Sequence, residues 1–109
     1  MYNKNDLIGK ESIMKKTLKT KRNVEVRQMS IDECTVCDDL QGVLMRKDGS
    51  YAAYGQNSSI VAWIRKGLVS GDFKTKMNGT VPDDVIRELS EEERIELASI
   101  IKEHQSLGK

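Results

Sequence analysis

The sequence predicts a small single α+β domain with two or three antiparallel strands and three or four helices, and three observations carry that expectation. Val24 and Val26 alternate with Glu25 and Arg27 at the period of a half-exposed strand. Two Ser-x-x-Glu pairs, Ser30 with Glu33 and Ser90 with Glu93, form capping boxes that mark helix starts. The 109 residues, 38% hydrophobic and 32% charged, suit one domain able to bury a single core without metal or disulfides.

Taken in order, residues 1–13 show little periodicity and read as a mobile arm, which leaves residues 14–109 as the domain, with Met14 a possible internal start. The segment Thr17 to Met29 reads as one strand, or as a hairpin turned near Lys21 to Asn23. A helix follows from Ser30, with Val36, Cys37, Leu40, Val43 and Leu44 on one arc and Cys34 at its flank. Basic residues and the Asp48-Gly49 dipeptide end it. Tyr51 to Gly55 is too short to assign. Asn57, Ser58 and Ser59 offer N-caps for a second helix carrying Ile60, Val61, Ile64 and Leu68, which Gly67 or Gly71 closes. Asp72 to Met77 is polar with Phe73 as its apolar anchor, and Asn78-Gly79 is a turn signal. Pro82 suits the first turn of a short helix through Val85, Ile86 and Leu89. The last helix, about Glu91 to Gln105, is expected to bury Ile95, Ala98 and Ile101, with Leu97 and Ile100 beside them.

Composition excludes several classes. Apolar runs fall far short of the ~20 residues that cross a bilayer, no signal peptide is apparent, and the chain reads as cytoplasmic. Two cysteines three apart do not make a disulfide framework. The net charge of +1 hides an asymmetry: residues 1–27 hold eight bases and three acids, and residues 83–103 hold eight acids and three bases. That polarity fits a solvated surface, or self-association in which one molecule's basic end meets its neighbour's acidic end.

Catalytic and cofactor signatures are thin. Cys34 and Cys37 are half of a zinc site, and His104 leaves the set one ligand short unless a dimer supplies both cysteines twice. Their neighbours Asp32, Glu33, Asp38 and Asp39 disfavour a redox thiolate. The single histidine, His104, is expected on the surface and gives no base for a nucleophile. Neither a dinucleotide-binding nor a P-loop glycine pattern occurs, so no enzyme and no cofactor is expected. Lys15 to Arg22 could neutralise phosphates and Tyr51, Tyr54 and Trp63 could stack on bases. The bases and aromatics are not interleaved, which makes nucleic acid the lesser expectation.

From Met14 onward the order of elements resembles a small tail assembly chaperone of long-tailed bacteriophages. The resemblance rests on Asn23-Val24-Glu25-Val26-Arg27-Gln28-Met29-Ser30-Ile31-Asp32-Glu33, on Ala62-Trp63-Ile64-Arg65-Lys66-Gly67-Leu68-Val69, on Asp72-Phe73-Lys74 and Asn78-Gly79-Thr80-Val81-Pro82, and on Leu89-Ser90-Glu91-Glu92-Glu93. The cysteine pair is a departure from that pattern. The resemblance implies a non-enzymatic protein of the infected bacterial cell that keeps a tape-measure protein soluble while tail-tube subunits assemble around it. Its contact residues would come from the apolar faces of the middle and last helices: Val61, Trp63, Ile64, Ile95, Leu97 and Ile101. The runner-up is a phage or plasmid regulator binding nucleic acid, with Cys34 and Cys37 linking a dimer through zinc.

Overall fold

Val24 and Val26 lie at the centre of the core because the strand that carries them is covered on one face and paired on both edges. The computed structural model describes residues 13–107. Strand β1 (Ile13–Thr17) pairs antiparallel with β2 (Asn23–Arg27), from Ile13 opposite Arg27 to Thr17 opposite Asn23. Of the expected mobile arm, residues 1–13, the first twelve lie outside the described residues, and Ile13 belongs to the sheet. The β1–β2 link is a tight turn in which the Leu18 amide donates to the Arg22 carbonyl and the Lys21 amide to the Leu18 carbonyl. Lys21 occupies the left-handed region there, at φ 72°.

Helix α1 (Ile31–Asp39) starts where the first capping box places it: the Glu33 amide donates to Ser30 Oγ and the Ser30 amide to the Glu33 carboxylate. The Arg27 hydrogen bond and the Ser30 amide hold the Glu33 carboxyl below its ordinary value, with burial acting in the opposite sense. The helix does not run on to Leu44. It stops at Asp39, and the residues expected to complete its apolar arc form a separate hairpin, β3 (Gly42–Met45) with β4 (Tyr51–Tyr54). Acidic Asp38 and Asp39 oppose the helix dipole at that end, and Gly42 is a poor helix residue. Asp48 accepts from both the amide and the hydroxyl of Ser50, and Gly49 adopts φ 89°, so the residues expected to end a helix instead turn a hairpin.

Helix α2 (Gln56–Gly67) is entered through Gly55 at φ 71°, and none of Asn57, Ser58 and Ser59 caps it. A Cβ at Gly55 would lie 1.8 Å from the Leu40 carbonyl oxygen, so the end of α1 abuts the start of α2 too closely for any side chain. Ser59 is buried within the helix and its hydroxyl donates to the Cys37 carbonyl at 2.8 Å, satisfying an acceptor that the end of α1 leaves without a helical partner. Ser59→Ala is expected to destabilise the domain by about 1–2 kcal/mol through that stranded carbonyl. Urea unfolding of the two proteins at neutral pH checks it.

Gly67 ends α2, and Leu68 turns extended into β5 (Leu68–Gly71), a strand the sequence did not announce. β5 joins the free edge of β2 to give the order β1-β2-β5, with an irregularity between Glu25 and Val26. The described residues therefore hold five antiparallel strands in two sheets rather than two or three, together with four helices. The α+β class stands.

Residues 72–82 form a loop. Gly79 turns at φ 80° as its sequence suggests, without a strand on either side. Pro82 precedes α3 (Asp83–Glu88), and the Val85 amide donates to its carbonyl. The second capping box, on Ser90 and Glu93, opens α4 (Glu91–Leu107). This helix turns Glu93, Leu97, Ala98, Ile101 and His104 inward: Ala98 and Ile101 are buried as expected, with Leu97 beside them, whereas Ile95 is 50% exposed and His104, expected on the surface, is buried. Gln105 fastens its far end, accepting from the Met29 amide and donating to the Arg27 carbonyl. The core forms between the three-stranded sheet and these helices, from Leu18, Val24, Val26, Trp63, Ile64, Leu68, Val85, Leu89, Leu97 and Ile101 among others.

Candidate functional site

The two charged ends of the sequence meet inside one molecule. Arg22 Nε donates to the Glu93 carboxylate at 2.8 Å, and its other nitrogens donate to the carbonyls of Asp72 and Glu88. Its guanidinium also lies 5.0 Å from the centre of the Phe73 ring. The Thr20 hydroxyl donates to Glu93 and the Lys19 amide to Glu96. The basic β1–β2 turn thus covers part of the acidic helix of its own chain, which uses up two of the carboxylates that self-association through opposite ends would need. Burial alone would raise the Glu93 carboxyl. The Arg22 guanidinium, the Ser90 amide and the Thr20 hydroxyl outweigh it and bring the group down to about 2. This cluster is a structural clamp.

Four of the six residues named for partner contact lie in the core. Trp63, Ile64, Leu97 and Ile101 are at most 3% exposed, because α2 and α4 pack directly against each other along the stripe that periodicity picks out. Val61 and Ile95 remain accessible. They line one shallow cleft between α2 and α4 together with Asn57, Ile60, Glu91 and Arg94.

Cys37 is fully buried beneath α2, while Cys34 is half-buried. Burial pushes the Cys37 thiol up and the adjacent Cys34 adds to it, so the metal-binding thiolate is disfavoured. A zinc ion shared with a second chain would require α1 to open. Among the described residues no cluster of three or more His, Cys, Asp or Glu is arranged to hold a metal. Of the three aromatics considered for base stacking, Trp63 is in the core and the two tyrosines point to opposite sides of the β3–β4 hairpin.

Among the described residues, that hairpin carries five of the eleven large hydrophobic side chains left exposed. None of its eight strand residues is buried, and Val43, Leu44, Met45, Tyr51 and Tyr54 are each more than half exposed. The register assigns them to two faces. Val43, Met45, Tyr51 and Ala53 share one, and Leu44, Ala52 and Tyr54 share the other with Gly42. Tyr54 lies across Gly42 so closely that a Cβ there would meet its hydroxyl at 2.5 Å. Val36 on α1 and Leu40 at its C-cap continue the exposed apolar surface toward the base of the hairpin. Sequence reasoning assigned Val43 and Leu44 to a helix and left Tyr51 to Gly55 unassigned, so it missed this surface. The usable signal was the Asp-Gly dipeptide flanked by two short apolar runs.

No helix among the described residues is long and apolar enough to cross a membrane. Compared with family models, with curated proteins and with solved structures, the chain matches none.

Proposed function

We propose that this protein is a non-enzymatic binding module that shields an apolar protein client, in the manner of a tail assembly chaperone holding a tape-measure protein of a long-tailed bacteriophage before tail-tube subunits enclose it. One observation carries the reading. A two-stranded ribbon is marginal on its own in water, and this one exposes large apolar side chains on both faces. Soluble proteins seldom leave such surface bare unless a partner covers it. The charged outer faces of α3 and α4 would keep the resulting complex in solution, and the Val61–Ile95 cleft gives a second place for an apolar side chain of the client.

The test is co-expression of the tagged chain with a tape-measure protein of a long-tailed phage, followed by affinity recovery and mass spectrometry. The client is expected to stay soluble and to copurify. Val43→Glu with Leu44→Glu, which charges both faces of the ribbon and leaves the core untouched, is expected to cut recovery at least tenfold with unchanged circular dichroism. Recovery of nucleic acid in place of a protein client, or equal recovery by the charged variant, would overturn the proposal.

A further inference from the structure

We propose that β4 is a pairing edge for a second copy of this chain, so that two hairpins join into one four-stranded antiparallel sheet. The edges of the two sheets differ in a telling way. Of the four described edge strands, β1 carries Lys15 and Lys16, the charges that ordinarily discourage strand addition, and β3 and β5 each include a glycine, which weakens a strand. β4 reads Tyr-Ala-Ala-Tyr, with no charge, proline or glycine.

Its backbone is turned for pairing. The Arg46 amide donates to the Ser50 carbonyl across the turn, and ladder bonds alternate along an antiparallel pair. Leu44 with Ala52 and Gly42 with Tyr54 are therefore the pairs bonded within the hairpin. The amides and carbonyls of Tyr51 and Ala53 face outward on the free edge.

A second copy fits this edge by symmetry. Antiparallel pairing of identical strands uses a two-fold axis perpendicular to the sheet, which sets one residue opposite its own counterpart. With Ala52 at the axis, Tyr51 of each copy lies opposite Ala53 of the other and exchanges both hydrogen bonds with it. Each Tyr51 ring thus gains a small neighbour in place of a second ring.

Charge supports the same occupant. In this register the tip of one hairpin runs beside the base of the other, where α1 ends. The tip carries exposed Arg46 and Lys47, and the last turn of α1 carries exposed Asp38 and Asp39 with no basic residue to offset them. Each copy supplies the cations that the other copy's helix end lacks. Pairing by the edge leaves both apolar faces of the enlarged sheet open, so the inference stands independently of any client.

The experiment uses the purified full chain without a client. Sedimentation velocity over a concentration series is expected to show a reversible monomer–dimer equilibrium that Ala52→Lys weakens at least tenfold. Arg46→Glu with Lys47→Glu is expected to weaken it as well, and adding Asp38→Lys with Asp39→Lys to that variant to restore it. Ala52→Cys should give a covalent dimer linked through position 52 under mild oxidation, because facing Cα atoms at a non-bonded antiparallel pair stand about 4.5 Å apart, within disulfide reach. Ala53→Cys, set opposite Tyr51 of the other copy, should not. A chain that stays monomeric throughout, or a dimer indifferent to Ala52→Lys and not linked through position 52, overturns the proposal.

Discussion

Arg22→Ala is expected to lower the unfolding free energy by about 3–5 kcal/mol, a large part of what a domain of this size possesses. The substitution leaves the Glu93 carboxylate buried without its cation and releases the Asp72 and Glu88 carbonyls at once. It also removes the guanidinium from the Phe73 ring. Urea denaturation followed by circular dichroism measures the loss. The same clamp imposes a pH dependence. The Glu93 carboxyl titrates at about 2 in the folded chain against 4.5 for an ordinary glutamate, so its contribution is complete above pH 4.5 and drains away as the pH falls toward 2. The span corresponds to about 3 kcal/mol. Other lowered carboxyls, Glu33, Asp48, Asp83 and Glu88, titrate in acid too. The decisive quantity is therefore the difference between the parent and Glu93→Gln, which should shrink between those two pH values. A constant difference would mean that Glu93 is held by packing and not by charge.

Ile101→Ala is expected to cost about 2–5 kcal/mol, as truncation of a fully buried isoleucine does. The more searching comparison lies across the contact between α2 and α4. An alanine in place of glycine ordinarily favours a helix by up to about 1 kcal/mol. At Gly67, however, a Cβ would stand 2.4 Å from Ile101 Cγ2, so Gly67→Ala should instead destabilise by about 1–3 kcal/mol. In the double variant the offending methyl is gone, and the two costs should fall short of additivity by at least about 1 kcal/mol. Simple additivity in thermal or urea unfolding would show that the helices separate freely to admit the extra carbon.

What could be read from the sequence follows the range over which each interaction acts. The starts of α1 and α4 were legible because a capping box closes within four residues, and both boxes form as written; the start of α2 was not, because Gly55 opens it without a side-chain cap. The central strand was legible because Val24 and Val26 alternate with polar residues. The hairpin was not, since residues 36, 37, 40, 43 and 44 satisfy a helical period and 43–45 satisfy a strand equally well. Only the turn at Asp48 and Gly49 and the unsuitable helix end at Asp39 decide between them. β5 went unread because Leu68–Gly71 becomes a strand only by meeting β2. On α4, apolar residues occur on more than one side, and what chooses among them is the partner surface. Contact with α2 draws in Leu97 and Ile101, and the inward stripe carries His104 with them while leaving Ile95 outside. The same ignorance of partners explains why Trp63 and Ile64 were offered as contact residues. Glu93 was legible as a cap, but its union with Arg22 spans 71 positions and left no local trace.

Trp63 is the only tryptophan in the chain. It is 3% exposed, its indole Nε1 has no hydrogen-bond partner among the described residues, and the Lys102 ammonium sits 5.6 Å from its ring centre. The molecule therefore carries a built-in optical reporter. Its emission comes from a buried site beside a cation and shifts to the red when water enters between α2 and α4. Light from this one ring follows the core, while the tyrosines of the hairpin, open to solvent, respond to whatever covers the ribbon.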